Sequence, residues 1–304
     1  MNKVPRNTTR DFLSCATLTL LATGFSVNVQ ATEGGGSSYP MGTESYMVGA
    51  MAPPGFYGIV YASHYEADAR IDNNGNKRPG DFQLQSNAIT PRFIWVTDQQ
   101  VLGGNVAFHA IMPLVDLKVD LNGQSQEQKG LGDMTFGTGL GYHLTDKLRS
   151  IVGLDVVAPT GEYNRNDLAK LGRNYWDIRP VWALSYIDPL GLNADAKIMY
   201  DFNTKNNATD YTSGQEFHVD YTVGWGLGKG WVVGVGGYVY QQTTDDRQYG
   251  ERIENSKGLA LAIGPAIKYA SASGWFLTAK WQQETEVLNR AEGNAYFLKL
   301  AVPF

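Results

Sequence analysis

Between Glu216 and Leu227 the chain alternates without interruption. Phe217, Val219, Tyr221, Val223, Trp225 and Leu227 fall on one face of an extended strand, and Glu216, His218, Asp220, Thr222, Gly224 and Gly226 on the other. The same period of two recurs where Leu192, Ala194, Ala196, Ile198, Tyr200 and Phe202 oppose Asn193, Asp195, Lys197, Met199, Asp201 and Asn203. It recurs again where Trp176, Ile178, Pro180, Trp182, Leu184 and Tyr186 oppose Asp177, Arg179, Ala183 and Ser185. Twelve such segments can be counted, at 56–68, 82–96, 104–117, 131–143, 149–159, 174–187, 191–203, 214–227, 231–242, 257–269, 274–283 and 294–304.

The connections between segments carry a second rhythm. Those after the second, fourth, sixth, eighth and tenth segments are tight: Asp98-Gln99-Gln100, Thr145-Asp146-Lys147, Asp188-Pro189, Gly228-Lys229-Gly230 and Ser271-Ala272-Ser273. Those after odd segments are long and polar, as at Asp72 to Gly80, Asp120 to Gly130 and Thr160 to Arg173. Short periplasmic turns alternating with long outer loops are the topology of an outer-membrane barrel. A soluble sandwich also alternates, but it hides its apolar face, whereas these apolar sets carry Trp and Tyr near their ends as interfacial girdles do. The expected fold is therefore all-β, a transmembrane antiparallel up-and-down β-barrel of about 12 strands over 56–304, with both termini in the periplasm.

Ahead of the barrel, Lys3, Arg6 and Arg10 precede a short apolar stretch from Leu13 to Val27, and Val29-Gln30-Ala31 offers small residues for cleavage. A cleaved signal peptide over 1–31 is expected. It takes the single cysteine, Cys15, with it. Lys+Arg falls from 25 to 22 and Asp+Glu from 30 to 29, so the mature net charge is 22 − 29 = −7. That acidity excludes a nucleic-acid partner, which calls for clustered Lys and Arg. No later apolar run reaches the roughly 20 residues of a membrane helix. The region 32–55, rich in Gly, Ser, Pro and Met, does not alternate; it is expected to be either a periplasmic tail or a plug in the barrel mouth.

Twelve strands stand between small barrels filled by side chains and wide porins, so a narrow passage is expected. Counting parity places Arg92, Asp155, Asp177, Arg179, Asp195, Lys197, Asp201, Glu216, His218, Asp220, Lys268 and Lys280 in the lumen, with both signs of charge and internal pairing as the default. His64, His109, His143 and His218 fall on the same inward parity, which admits a metal or simple hydrogen-bonded lumen residues. Tyr238 and Tyr240, with Gly234 and Gly236, offer an aromatic surface, or packing against the plug. Pro91, Pro180 and Pro265 lie outward, each removing one ladder N–H, which suits either bulges or a lateral exit into the bilayer.

No catalytic constellation emerges. A barrel lipase needs a Ser–His pair on the outer wall, and the glycines of Gly137-Thr138-Gly139-Leu140-Gly141 lack the following helix of a phosphate loop. The final alternating set Tyr296, Leu298, Leu300, Val302 and Phe304 is similar to the signal read by the barrel assembly machinery.

Several motifs are shared with a known family. Tyr39-Pro40-x-Gly42-x-Glu44, Pro53-Pro54-Gly55-Phe56-Tyr57, Tyr65-x-Ala67-Asp68, Leu131-Gly132-Asp133, Tyr211-x-Ser213-Gly214-x-Glu216-Phe217-His218-x-Asp220-Tyr221 and Gly234-x-Gly236-Gly237-Tyr238 together resemble the phenol meta-pathway degradation protein family. The resemblance implies an outer-membrane protein passing small aromatic molecules such as phenols or alkylbenzenes. The expected function is thus passive uptake of small hydrophobic or aromatic compounds, with no metal, cofactor or energy source. A narrow channel for hydrophilic solutes and an adhesive barrel with a blocked lumen are the alternatives. Expected partners are outer-membrane lipid and lipopolysaccharide, small hydrophobic solutes, and the assembly machinery acting on the strand that ends in Phe304.

Overall fold

A computed structural model of the chain describes Met1 and residues 32–304. The expected signal peptide lies outside the described residues. The tall hairpin β1 (Gly55–Arg70) and β2 (Phe82–Val101) is followed by β3 (Gly104–Ile111), β4 (Leu114–Leu121), β5 (Gln124–Leu131) and β6 (Met134–His143). Next come β7 (Leu148–Ala158), β8 (Asp177–Tyr186), β9 (Leu192–Asn203), the short β10 (Lys205–Asn206) and β11 (Tyr211–Thr212), β12 (Glu216–Gly228) and β13 (Trp231–Gln242). The short β14 (Arg247–Gln248) and β15 (Glu251–Arg252) precede β16 (Leu259–Ala270), β17 (Phe276–Leu288) and β18 (Ala291–Pro303).

Fourteen of these form one antiparallel sheet that closes on itself, since β1 pairs with both β18 and β2. β3 and β4 climb the same edge of β2, separated only by Met112 and Pro113, and β5 and β6 form the next stave in the same way. Merging each pair gives 14 − 2 = 12 staves, the number that the alternation implies. Closure leaves no sheet edge along the membrane-spanning part, which is how a strand can satisfy its backbone in lipid. β10, β11, β14 and β15 make a separate small sheet from the two loops above β9–β12 and β13–β16.

The outer wall is apolar at membrane depth. Phe93, Trp95, Phe108, Trp182, Trp225, Val235, Ile263 and Leu298 are exposed on it, while their strand neighbours on the inner parity are buried or half-buried. Near the short turns the rings join into a girdle: Phe56, Trp95 and Phe108 lie at centroid spacings of 6.1 and 5.8 Å, and Trp231, Tyr269 and Trp275 at 4.8 and 5.5 Å. Phe304 N–H donates to Phe56 O at 3.1 Å, and its ring covers the space beside Gly58, so the last residue helps seal the β1–β18 seam.

Two connections differ from the expected rhythm. Asp120 to Gly130 is not a long loop: β4 and β5 continue upward as a hairpin closed by Asn122 (φ 50) and Gly123 (φ 81). Two successive left-handed residues match the type I′ turn that Asn-Gly favours, and that local signal outweighs the polarity of the stretch. β17 and β18 are likewise joined through only Asn289 and Arg290. The second strand also runs past Asp98 to Val101, so its turn is Leu102-Gly103.

In the β2–β4–β5 extension the faces are inverted. Gln83, Gln85 and Asn87 point outward with Asp116, Lys118 and Asp120, and Lys129 bridges Asp116 (3.1 Å) and Glu127 (2.8 Å) on that outer surface. Phe82, Leu84, Val115, Leu117, Val119 and Leu121 point inward. A wall that is greasy outside at Ile89 and Leu114 becomes polar outside one pleat higher, which marks where the bilayer ends.

Pro180 and Pro265 sit on the lipid side, and each interrupts one ladder. β8–β9 pairing skips from Ile178↔Phe202 to Val181↔Met199, and β16–β17 from Ile263↔Gln283 to Ala266↔Lys280. Pro91, half-buried, keeps its carbonyl engaged by Met112 N–H at 3.0 Å.

One parity assignment is corrected. His64 faces outward, its ring 6.0 Å from that of the outer-wall residue Tyr296. The inward set of β1 is instead Tyr61, Ser63 and Tyr65; the Tyr61 hydroxyl reaches Glu44 and that of Tyr65 reaches Glu284. Tyrosine has an apolar body and a polar tip, so it reads as a lipid-facing residue when its tip serves the lumen. The partners of His64 are Asn87 (2.7 Å) and Glu66 (3.6 Å), neither a nucleophilic hydroxyl.

Candidate functional site: the lumen and its N-terminal segment

Residues 32–54 thread into the barrel, and the inward polar side chains hold them there. Asp220 on β12 accepts from Tyr39 Oη at 2.7 Å, from Gly42 N–H at 2.8 Å and from Glu44 N–H at 2.9 Å. Asp195 on β9 accepts from Met47 N–H (2.8 Å) and Val48 N–H (3.2 Å), and Ser185 from Gly49 N–H (2.7 Å). Apart from the 3-10 turn at Glu33–Gly35 and isolated turn bonds, the segment is irregular and must pass its remaining backbone N–H groups to the wall or to water. Here two carboxylates take four of them.

The segment also brings two acids of its own, Glu33 near its start and Glu44 deep in the lumen. Glu44, 4 % exposed, lies 3.1 Å from Lys299 and 3.3 Å from Arg92, and accepts from Tyr61 Oη at 2.9 Å. Lys280 and Lys299 donate to the backbone oxygens of Glu44 (2.7 Å) and Tyr46 (3.0 Å). A buried carboxylate ringed by this many donors is a strong lock, because removing one partner strands the others.

Shape complements charge. Gly224 and Gly234 face each other across the β12–β13 ladder, and a side chain at either would run into Tyr46; one at Gly141 would run into Met51. Tyr39, Met41, Met199, Tyr238 and Tyr240 pack as one apolar cluster. Part of the glycine richness of the strands therefore makes room for the segment.

Of the expected lumen residues, Asp155, Arg179, Lys197 and Tyr238 line a cavity, and the others are engaged with the segment, with one another or with neighbouring side chains. Asp177 accepts from Ser38 Oγ at 2.6 Å and pairs with Arg179, which also meets Asp201 at 2.6 Å. Glu216 binds Ser37 and Asn203. His218 meets Asp201 at 3.0 Å and lies 4.9 Å from the Tyr39 ring. Tyr240 is covered by the Arg290 guanidinium at 4.2 Å, and Lys268 lies 5.9 Å from the Tyr46 ring. Asp195, Asp220, Arg92 and Lys280 hold the segment as described. His109 pairs with Asp155 at 2.9 Å and His143 is exposed near a short turn, so the inward histidines do not converge.

The cavity, about 520 Å³, lies on the loop side of the segment. One wall is the inverted inner face of β2 and β4: Phe82, Leu84, Val115, Leu117, Val119 and Leu121. The floor is Tyr39, Pro40 and Met41 beside Arg179, Lys197 and Asp155, with Leu168 and Leu171 of the 159–176 loop at the rim. Arg179 and Lys197 stand 5.0 and 5.1 Å from the Tyr39 ring, so the floor already holds a phenol ring in contact with two cations. A larger depression, about 1270 Å³, runs over Ile89, Leu114, Pro265, Ile267 and Leu298; it faces the bilayer, so the lumen cavity is the candidate site.

A family model described as "Putative MetA-pathway of phenol degradation" matches residues 67–300. The chain belongs to this family. Among solved structures, the COG4313 outer membrane channel from Pseudomonas putida F1 superposes with a TM-score of 0.72 at 19% identity, covering 84% of this chain and 97% of that one. Looser likenesses are the translocator domain of the autotransporter NalP from Neisseria meningitidis (TM-score 0.48, 11% identity, 84% and 91% covered) and a Pseudomonas aeruginosa FadL homologue (0.43, 10%, 85% and 96%). No match is found among the curated proteins. The phenol-degradation family member described here is thus an outer-membrane β-barrel with the fold of a channel.

The sequence alone did not single out Glu44, Lys299, Tyr61 or the inner wall of β4. A lone acid in an otherwise uncharged 34–55 stretch, and the Val115, Leu117, Val119, Leu121 alternation running into Asn122-Gly123, were the available signals.

Proposed function

We propose that the protein is an outer-membrane channel for passive uptake of small hydrophobic or aromatic compounds of the phenol or alkylbenzene type. The observation that carries this reading is the cavity, in which an apolar wall on β2 and β4 faces a floor where a phenol ring already rests beside Arg179 and Lys197. Small-molecule sites are mostly apolar with a few placed polar groups, and about 520 Å³ falls within their usual range. The family description, which names phenol degradation, supports the same class. Most of the lumen charges are bound to the lumenal segment or to each other, which leaves a hydrophilic solute few free partners. Solutes reach the cavity from the loop side, and the lumenal segment must shift for them to continue.

The test is initial uptake of labelled phenol by cells carrying the wild type or Leu117→Lys, which sets a charge on the apolar wall. Slower uptake in the variant at equal barrel abundance supports the reading; equal uptake contradicts it.

A further inference from the structure

The charged side chains around the cavity floor find partners one after another until Lys197. Arg179 is shared by Asp177 and Asp201, Asp155 is paired with His109 at 2.9 Å, and Glu44 sits between Lys299 and Arg92. Lys197 is 6 % exposed and lines the cavity, yet among the described residues it makes no hydrogen bond and no ion pair. Its close neighbour is the face of the Tyr39 ring, 5.1 Å from Nζ. An ammonium carries three donors, and a buried cation without acceptors is costly. Such a group is tolerable where it borders space that water or a ligand fills with acceptors.

We infer that Lys197 is the anchor for an anionic oxygen group on an aromatic solute, so that the cavity takes aromatic carboxylates. The carboxylate meets the Lys197 ammonium on β9, and the ring lies against Leu84, Leu117 and Val119. β9 is separated from β4 by three staves (β5–β6, β7 and β8), so the two ends of such a solute address different sides of one space. Asp155 and Glu44, the carboxylates nearest in the field of Lys197, are already engaged by His109, Lys299 and Arg92 and do not compete for its donors. The inference rests on the channel reading and extends its aromatic substrate class to anionic members.

The test uses purified full-length barrel in detergent, titrated by calorimetry with benzoate and with benzamide, its neutral isostere. A charge-assisted hydrogen bond is roughly twice as strong as a neutral one, so wild type is expected to bind benzoate about tenfold more tightly. Lys197→Gln brings that ratio to about one and Lys197→Arg retains it. Heat-modifiable mobility on gels verifies that each variant is folded, and the wild-type ratio decides the matter even where one is not. Equal binding of the two by wild type, binding of neither, or a ratio unmoved in folded Lys197→Gln overturns the assignment. Benzoate preference without protein-dependent phenol uptake keeps the Lys197 site and removes the channel reading. Uptake with no benzoate preference does the reverse.

Discussion

Tyr39 and Asp220 are 181 positions apart in the chain and 2.7 Å apart in the lumen, where the phenol hydroxyl donates to a carboxylate that also accepts the N–H groups of Gly42 and Glu44. One side chain on β12 thus carries three of the bonds that hold the N-terminal segment inside the barrel. Asp220→Ala is expected to weaken the docking of the segment by roughly 3 kcal/mol, the scale of hydrogen bonds to a charged group less rehydration of the donors. Single-channel conductance in planar bilayers should rise, with the barrel still heat-modifiable. Unchanged conductance would mean that Asp220 does not hold the segment.

Gly141 and Met51 give an independent handle on the same docking, because the three atoms nearest to a new Cβ at Gly141 all belong to Met51. Gly141→Leu should destabilise the docked segment by about 1–3 kcal/mol, as overpacking does, and raise conductance. Adding Met51→Ala should restore most of it. A double-mutant cycle with no coupling would show that the two do not touch.

Asp246, in the loop above β13, accepts from Tyr211, Gly214 N–H and Gln242. Burial pushes its carboxyl from the ordinary 3.8 up to about 6 despite those donors. The folded loop therefore prefers the protonated acid. Its contribution is full below about pH 3.8 and is lost as pH rises through about 6. Hydrogen exchange in 204–215 and 243–258, corrected for intrinsic rates, should be slower at pH 5 than at pH 8. Asp246→Asn should flatten the difference, and greater protection at pH 8 would contradict the assignment.

Asn122-Gly123 closes the extension that builds the apolar wall. Gly123→Val forces a β-branched residue to φ 81 and should cost about 1–2 kcal/mol or more locally. Limited proteolysis between Leu121 and Gln124 should quicken while the membrane-embedded staves remain protected. Resistance equal to wild type would show that the hairpin does not depend on this turn.

The staves were legible because lipid imposes one rule on each of them: apolar outward, every second residue. Glu216 to Leu227 obeys it so closely that inward Asp220 and His218 follow by counting. The rule fails where the environment changes. Above the bilayer, Leu117 and Val119 point inward, so the same alternation carries the opposite meaning. On β1, tyrosines serve the lumen, and His64 faces outward against the expected parity. The lumenal segment has no period; its position is set by contacts such as Tyr39–Asp220 and Glu44–Lys299, whose partners are far apart in the chain. The charges of the lumen could be named from parity, but that most of them bind the segment, and that Lys197 does not, required their positions in space.

The account turns on whether small aromatic compounds enter through this barrel. The direct measurement is initial uptake of labelled phenol at low concentration by a deletion strain and its complemented counterpart, with a labelled sugar and a nucleoside alongside. The account predicts faster phenol uptake only when the protein is present, and no change for the sugar or the nucleoside. Phenol uptake independent of the protein, with sugar or nucleoside uptake depending on it, would contradict it.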